Sequence, residues 1–324
     1  MNEVSFIPVR AVAEAIDLLK KQPPAETVLM AGGTDLLVRK RQKLIAFRTI
    51  IYLRSIPGLS EIRPDGDGGL SIGAMAGLDE IASHPDIRKK YPMLAQAAST
   101  VASPQIRHKA TIGGNLCLSS RCWFYNHSPF WRAEYPECRK ASAGDKCYVL
   151  PKSRRGCFAL QSGDTVGPLV ALNAKVKLVS DEGERILKME DLYQGDGINY
   201  LALGPREILT EVLLPSPPGT GAFIKFRPQN NLDYATFTLS VVLPRDGAGS
   251  RIVVGSVASQ LLRARKGERL FDQGRVGIEA IARQAAEELI LVSFVRGPVE
   301  FKRRVIEAKL GEALAALVGA SPQD

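Results

Sequence analysis

Cysteine, histidine and tryptophan are scarce in this sequence, and long apolar runs are missing. The 324 residues include five cysteines, three histidines and two tryptophans. No uncharged apolar run approaches the roughly 20 residues of a transmembrane helix, so we expect no membrane span. The N-terminus lacks the apolar region of a signal peptide, which predicts a cytoplasmic protein. With 45% hydrophobic and 24% charged residues, the chain has the composition of a globular protein.

Several catalytic signatures are also absent. The sequence has no Ser/His/Asp triad arrangement, no pair of catalytic carboxylates and no phosphate-binding P-loop. It also lacks the GxGxxG fingerprint, so a Rossmann nucleotide site is not supported.

The cysteines that are present occupy one short segment. All five lie between residues 117 and 157, together with both tryptophans and His127. The same segment holds eight lysines and arginines against three acidic residues, more than half of the net charge of +9. In a reducing cytosol, clustered thiols are more often metal ligands or redox groups than disulfides. We therefore expect an inserted, cross-linked loop here.

The remaining patterns predict an α+β chain with two units. Apolar runs and helical periodicity define a first unit at 1–216, and a Pro/Gly linker at 215–221 separates it from a C-terminal α+β unit at 220–324. The predicted strands are 27–31, 49–53, 70–73, 175–180, 185–188, 208–214, 223–227, 235–243 and 251–259. The predicted helices are 9–22, 78–83, 93–101, 276–291 and 298–318.

Two glycine turns are candidates for ligand binding. The first is AGGTDL at 31–36 and the second is TIGGN at 111–115. Glycine lets the backbone approach a ligand closely, and successive N–H groups form a concave site for an anion such as a diphosphate. One such turn is weak evidence, because Asp35 is equally suited to capping a following helix. Two turns together favour a shared ligand.

These motifs resemble the flavin-binding subunits of the molybdenum hydroxylase family. The resemblance covers AGGTDLL at 31–37, QIRHKATIGGN at 105–115, SGD at 162–164 and the helix at 301–314. It implies a two-part FAD-binding domain of the vanillyl-alcohol-oxidase type (about 1–56 and 57–216) and a C-terminal domain like that of CO dehydrogenase flavoproteins. The implied FAD contacts are Leu29, Met30, Ala31, Gly32, Gly33, Thr34, Asp35, Leu36, Thr111, Ile112, Gly113, Gly114, Asn115, Asp164 and Lys225.

The insertion at 117–160 is similar to that of the 4-hydroxybenzoyl-CoA reductase branch of the family. That resemblance implies a 4Fe–4S cluster on Cys122, Cys138, Cys147 and Cys157, spaced C-x15-C-x8-C-x9-C. Four thiolates suit either such a cluster or zinc, and the spacing alone leaves both open. Cys117 is interpreted as a small buried residue near the flavin. Trp123, Phe124, Phe130 and Trp131 are candidates for shielding the cluster from water.

The resemblance implies an electron-transfer subunit with no catalytic residue of its own. The expected partners are a molybdopterin-binding large subunit, a small subunit with 2Fe–2S clusters and ferredoxin as donor, in a dimer of heterotrimers that dehydroxylates an aromatic thioester. One alternative is a hydroxylase subunit that passes electrons from substrate to NAD+. Another is a basic zinc-binding nucleic-acid module, which leaves both glycine turns unexplained.

Overall fold

The N-terminal residues form a small parallel sheet. The computed structural model describes residues 4–142, 144–154, 156–229, 232–245, 249–292 and 297–319. Strand β3 (Thr49–Tyr52) lies between β1 (Ser5–Pro8) and β2 (Thr27–Met30), and all three are parallel. Helix α1 (Val12–Lys21) connects β1 to β2 and buries Ala15, Ile16 and Leu19, which share one helical face. Helix α2 (Leu36–Arg41) follows β2 directly after the first glycine turn.

The second sheet is antiparallel and has five strands. Its order is β4 (Ile62–Pro64), β5 (Leu70–Gly73), β8 (Ile208–Leu214), β6 (Lys175–Ser180) and β7 (Gly183–Lys188). In β6 the buried Val176 and Leu178 alternate with lysines, as expected for a strand with one face in the core.

Short helices fill the long connection between β5 and β6. They are α3 (Leu78–Ser83), α4 (Pro85–Lys90), α5 (Pro92–Ser99), α6 (Pro104–Lys109), α7 (Ile112–Leu116), α8 (Pro129–Arg132), α9 (Arg139–Ser142) and α10 (Val166–Ala171). The second glycine turn is therefore the beginning of helix α7 rather than a simple loop. Helices α8 and α9 belong to the cysteine-rich insertion, and α10 is buried on all sides.

The C-terminal residues form a four-stranded antiparallel sheet covered by helices, of which the sequence predicts three strands and two helices. The strand order is β12 (Leu262–Arg263), β11 (Arg251–Gly255), β10 (Phe237–Pro244) and β9 (Gly219–Phe226). The helices are α11 (Arg265–Gln273), α12 (Ile278–Glu288) and α13 (Val299–Gly319). Helix α11 has no predicted counterpart, and predicted helix 93–101 corresponds to Pro92–Ser99.

Two apolar cores meet across the predicted boundary. The larger core is formed by the five-stranded sheet and by the helices packed on it, chiefly α3, α5, α7 and α10, yet it also includes Phe223, Val242 and Val253 of the C-terminal sheet. The division at 216–220 stays a prediction. Within the described ranges, no helix combines the length and apolar character needed to cross a bilayer.

Candidate FAD cavity and four-cysteine site

A cavity of about 550 Å³ collects the predicted flavin contacts. Its volume lies within the range of roughly 300–1,000 Å³ that is typical of ligand pockets. Every predicted contact except Ile112 lines it. Ile112 is fully buried in the larger core, so its side chain anchors helix α7 instead of facing the cavity.

The first glycine turn is held in place by two different constraints. A Cβ on Gly32 would lie 1.9 Å from the carbonyl oxygen of Lys109, so no side chain fits there. Gly33 has φ +73°, which is the left-handed region that favours glycine. The turn therefore packs backbone against backbone on the segment that precedes the second glycine turn.

The second glycine turn is a capped helix start. The side chain of Thr111 accepts a hydrogen bond from the Gly114 N–H at 3.1 Å. A Cβ on Gly113 would lie 2.8 Å from the Ala74 carbonyl oxygen, whereas one on Gly114 would lie 3.9 Å from the Ala31 Cβ. Gly114 therefore lies close to the first turn, and both turns line the same cavity. That they share one ligand stays a prediction.

A third loop, at 162–165, closes against the second turn. A Cβ on Gly163 would lie 2.5 Å from the Asn115 carbonyl oxygen. The Asn115 amide oxygen accepts hydrogen bonds from the Thr165 hydroxyl at 2.7 Å and from its N–H at 3.3 Å. Asn115 thus links the second turn to the loop that carries Asp164.

Asp164 and Lys225 form a buried ion pair in the cavity wall. The Lys225 Nζ donates to Asp164 Oδ2 at 2.6 Å and to the Thr100 carbonyl at 2.9 Å. The two side chains are only 9% and 5% exposed. Burial raises the pKa of the Asp164 carboxyl, and the charge of Lys225 acts in the opposite direction. The pair joins strand β9 to the first unit at the cavity.

Asp35 does not cap helix α2. Its side chain makes no capping hydrogen bond to that helix; instead it pairs with Arg121 and, at 3.9 Å, with Arg39. Both arginines line the cavity. The run of charged residues at 39–43 suggests a solvated helix face. Arg39 instead lines the cavity and pairs with Asp35. Arg121 lies in the insertion, so this ion pair joins the insertion to the first glycine turn.

Three further cavity residues carry no sequence signal that identifies them. Tyr200, Arg121 and Tyr234 line the cavity from segments remote from both glycine turns. The Tyr200 hydroxyl donates to the Cys117 carbonyl at 3.2 Å. Cys117 also lines the cavity, as expected for a residue near the flavin, and burial raises the pKa of its thiol to about 12.

The other four cysteines are buried close together. Cys122, Cys138, Cys147 and Cys157 are 6–8% exposed, although 35 chain positions separate the first from the last. All five cysteines are described, and none forms a disulfide. Burial raises the pKa of Cys122 to about 12, and the charges of Cys157 and Cys138 act in the same direction. Burial also raises the pKa of Cys157, with contributions from Cys147 and Cys138.

Backbone contacts bring these cysteine segments together. An antiparallel bridge between Arg121 and Leu160 closes the base of the insertion beside Cys122. A parallel bridge pairs Cys138 with Lys146, the neighbour of Cys147. The Cys157 carbonyl accepts from the Gly197 N–H at 2.8 Å and from the Ser259 hydroxyl at 3.1 Å. In the described part of the chain, no three His, Cys, Asp or Glu side chains are spaced to hold one metal ion.

Two basic side chains directly after Cys138 bind backbone carbonyls of the insertion. The Arg139 guanidinium donates to the carbonyls of Asp145, Ser153 and Gly156 at 2.7–2.9 Å. The Lys140 ammonium donates to Ser120 and to the Gly197 carbonyl. Burial lowers the pKa of Lys140 to about 8, with Cys157 and Cys122 acting in the opposite direction.

The aromatic residues of the insertion divide into two groups. Phe124 and Tyr125 pack with Cys122 and Cys157 in a small apolar cluster. Phe130 is 85% exposed, and Trp123 and Trp131 are each 46% exposed. The expectation that all of the predicted aromatics shield the cysteines is therefore wrong for these three. Trp131 instead stacks on His127 at 4.9 Å on the outer face.

The fold and the cavity define a class of protein. Residues 2–217 match the family described as "FAD binding domain in molybdopterin dehydrogenase". The chain belongs to this family, and it is an FAD-binding oxidoreductase subunit of the molybdenum hydroxylase type.

Particular relatives support the same assignment. The FAD-binding subunit of aldehyde oxidoreductase from Escherichia coli is 28% identical over 288 residues, covering 85% of this chain and 87% of the relative. The carbon monoxide dehydrogenase medium chain of Afipia carboxidovorans is 27% identical over 319 residues, covering 94% and 93%. The structure of quinoline 2-oxidoreductase from Pseudomonas putida 86 shares the fold, with a TM-score of 0.77, 20% identity and 98% coverage of both chains.

The predictions of the family, of FAD and of an α+β fold are thereby confirmed. The individual FAD contacts, the cluster ligands and the branch of the family stay predictions. Relatives named "medium subunit" and "medium chain" belong to nicotine 6-hydroxylase and carbon monoxide dehydrogenase.

Proposed function

We propose that this chain is an electron-transfer subunit that carries a 4Fe–4S cluster in addition to FAD, within a complex like 4-hydroxybenzoyl-CoA reductase. The observation that carries the proposal is the burial of four cysteines within one insertion beside the flavin cavity, two of them, Cys122 and Cys157, in the same apolar cluster. Arg121 lines that cavity, and its neighbour Cys122 is one of the four buried cysteines.

The donor set fits an iron–sulfur cluster. Such clusters are held by cysteine thiolates and carry net negative charge. Cys122, Cys138, Cys147 and Cys157 supply four thiols in a cationic segment, with Arg139 and Lys140 directed at carbonyls around them. A bound cluster would supply a one-electron relay site, while the chain sets its position and its surroundings.

The cavity residues would hold FAD by their backbone and charged groups. The backbones of Gly32, Gly33 and Gly114 face the cavity, where close approach of a diphosphate is sterically permitted. The remaining proposed contacts are the other cavity-lining residues of 29–36 and 111–115, with the Asp164–Lys225 pair. The bound flavin would supply the exchange between two-electron and one-electron transfer.

The proposed complex contains two further subunits. The names of the relatives support a large and a small partner, since two are called medium subunit or medium chain. We infer a molybdopterin-binding large subunit, which holds the catalytic residues, and a small subunit with 2Fe–2S clusters. Ferredoxin is the proposed donor, and the assembly is a dimer of heterotrimers in the cytoplasm. The proposed role is reductive removal of a phenolic hydroxyl during degradation of aromatic compounds.

One other function is favoured by the relatives. Nicotine 6-hydroxylase and nicotinate dehydrogenase relatives are named for oxidation of N-heterocyclic substrates. In that direction, electrons would pass from substrate through this chain to NAD+ or another acceptor. Stopped-flow reduction of the flavin separates the two functions: reduced ferredoxin reacts faster than NADH under the first, and NADH reacts faster under the second.

The cluster is tested by metal analysis of the native complex. The chain is purified anaerobically with its co-eluting partners, and iron, zinc, molybdenum and flavin are quantified per chain. We expect stoichiometric flavin, no zinc and iron in excess of what the partner's 2Fe–2S clusters hold. Stoichiometric zinc without excess iron would mean that the four cysteines bind zinc and not an iron–sulfur cluster.

A further inference from the structure

We propose that Lys140 is a positioning residue that joins three cysteine-bearing segments and fixes a positive charge between the four-cysteine site and the flavin cavity. The inference rests on the proposed function, because it concerns a cluster held by Cys122, Cys138, Cys147 and Cys157. It goes beyond the ligand assignment, since Lys140 is not a ligand.

Lys140 connects three cysteine-bearing segments through hydrogen bonds. Lys140 follows Cys138 by two residues, and its Nζ donates to the Ser120 carbonyl at 3.0 Å and to the Ser120 hydroxyl. Ser120 precedes Cys122 by two residues. The same Nζ donates to the Gly197 carbonyl at 2.7 Å, while the Gly197 N–H donates to the Cys157 carbonyl at 2.8 Å. One ammonium group therefore ties the segments of Cys138, Cys122 and Cys157 together.

The backbone of Gly197 packs against the sulfur of Cys157 itself. A Cβ on Gly197 would lie 2.7 Å from the Cys157 Sγ, so the backbone that accepts from Lys140 packs directly on this thiol. A displacement of the lysine would release Gly197 and Ser120 at once. Both lie next to cysteines that must converge on one centre.

The positive charge of Lys140 lies near aromatic residues of both sites. The Lys140 Nζ lies 5.1 Å from the centre of the Tyr125 ring and 5.8 Å from that of Tyr200. Tyr125 packs with Cys122 and Cys157, whereas Tyr200 lines the flavin cavity. The ammonium is therefore between the two sites. Its acceptors at Ser120 and Gly197 are carbonyl and hydroxyl oxygens, and none of these neutral groups balances its charge.

A fixed cation at this position stabilises an added electron. Reduction of a cluster adds one negative charge, and the attraction between opposite charges is strong where the effective dielectric constant is low. Replacing the ammonium by an apolar group of similar length removes this attraction. We expect the midpoint potential of the cluster to become more negative, so that less of it is reduced by a given donor.

The test uses Lys140→Met and Lys140→Arg in the intact complex, with Lys152→Met as control. Lys152 lies in the same insertion and is exposed. Iron and flavin are quantified per chain, and the cluster potential is measured by a dye-mediated titration followed by electron paramagnetic resonance. We expect Lys140→Met to lower the reduced-to-oxidised ratio at a fixed potential at least tenfold, equivalent to about 59 mV for a one-electron couple. Lys140→Arg and Lys152→Met should remain near the parent value.

The outcomes separate this inference from the proposed function. A parent complex without excess iron overturns both. If Lys140→Met keeps its full iron content and its cluster has the same midpoint potential as in the parent, the role of Lys140 is overturned but the proposed function is not. If Lys140→Met loses iron, Lys140→Arg decides: retained iron supports a cation that joins the segments, and loss in both variants overturns the role of the charge.

Discussion

At the scale of single residues, the glycines of the cavity differ in what they tolerate. A Cβ on Gly32 would collide with the Lys109 backbone, and Gly33 has a left-handed backbone, so substitution at either position disturbs the fold itself. Gly114 is different, because its added Cβ would meet only the Thr111 hydroxyl at 3.1 Å and Ala31 at 3.9 Å. Gly114 is therefore the better position for testing flavin binding.

We predict that Gly114→Ala weakens FAD binding at least tenfold while the chain stays folded. The added methyl group occupies the space between the two glycine turns and keeps a diphosphate from the backbone. The measurement is the dissociation constant of FAD for the deflavinated protein, by flavin fluorescence. Gly277→Ala is the control, since nothing lies within 4 Å of its Cβ. Unchanged FAD affinity in Gly114→Ala would contradict the role assigned to this turn.

Substitution of Cys138 tests binding of the cluster separately from binding of FAD. We predict that Cys138→Ser removes the broad visible absorbance and the excess iron, because a serine hydroxyl is a poor substitute for a thiolate ligand. Stoichiometric FAD should remain, since Cys138 does not line the cavity. The measurement is iron and flavin per chain with the absorption spectrum, and Cys117→Ser serves as a variant outside the ligand set. Unchanged iron in Cys138→Ser would show that the ligand assignment is wrong.

The buried pair of Asp164 and Lys225 predicts a pH dependence. Lys225→Met leaves a buried carboxylate without its partner, which costs about 3–5 kcal/mol of unfolding free energy at neutral pH. Burial already holds the pKa of Asp164 above its unfolded value, and loss of the cation raises it further. A raised folded-state pKa means that the folded chain binds more protons than the unfolded chain. Stability relative to the parent therefore falls as the pH rises through the interval between two folded-state pKa values of Asp164. These are its value in the parent, already above the unfolded value of about 3.9, and its higher value in the variant.

This pH dependence is checked by denaturant unfolding of Lys225→Met and the parent between pH 4 and pH 8. We expect the deficit to be smallest at the acidic end. The double variant Asp164→Asn/Lys225→Met is the control, because it has no carboxyl group at this position and its deficit should not grow as the pH rises. A deficit that is constant with pH in the single variant would exclude Asp164 as its cause.

At the scale of elements, the C-terminal helices offer a matched pair of glycines. Gly267 in α11 lies against α12, where an added Cβ would be 2.6 Å from the Ala285 Cβ. Gly311 in α13 would place its Cβ 3.9 Å from Ala282, an ordinary contact. Alanine is preferred over glycine in a helix interior by about 1 kcal/mol, so only packing distinguishes the two sites.

We predict opposite effects of alanine at these two positions. Gly311→Ala should raise the unfolding free energy by about 0.5–1 kcal/mol through helix propensity. Gly267→Ala should lower it by about 1 kcal/mol or more, because overpacking of a close helix contact outweighs the same propensity gain. Denaturant unfolding monitored by circular dichroism measures both changes. A stabilising Gly267→Ala would mean that α11 and α12 are not in close contact in solution.

Elements with a clear period were predictable, and those without one were not. Strand β6 alternates buried apolar residues with lysines, and helix α12 buries one face, so both follow periods that the sequence displays. Helix α10 is buried on every side, so it has no polar face to produce a helical period. Thr111 caps helix α7, and this role was not predicted because the two glycines that follow usually indicate a turn.

At the scale of the whole molecule, the sequence predicted some residues of the cavity wall but not those that come from distant segments. The glycine turns are marked by their residue types, whereas Asp164 and Lys225 were predicted from the family resemblance, and the structure brings all these segments to one cavity. Tyr200, Arg121 and Tyr234 reach it through long-range folding, which no local pattern encodes. The pairing of Asp35 with Arg121 is of the same kind, since 86 residues separate the partners.

We expect the rest of the chain to fold without the cysteine-rich insertion. Its ends meet at the bridge between Arg121 and Leu160, where each N–H donates to the other's carbonyl at 2.7 Å. Residues 122–159 can therefore be replaced by Asn-Gly, a dipeptide that closes two antiparallel ends in a tight hairpin. Arg121 is retained, so its pairing with Asp35 at the cavity is kept.

We predict that this replacement separates the two cofactors. The shortened chain should keep stoichiometric FAD, because none of the described residues of 122–159 lines the cavity. It should lose all iron beyond that of the partner subunits, since Cys122, Cys138, Cys147 and Cys157 are removed together. Electron transfer to the flavin from reduced ferredoxin should slow at least tenfold, while reduction by dithionite persists. Iron, flavin and stopped-flow rates in the reconstituted complex provide the measurements. Loss of FAD together with iron would mean that the insertion is part of the flavin site rather than a separate electron-transfer module.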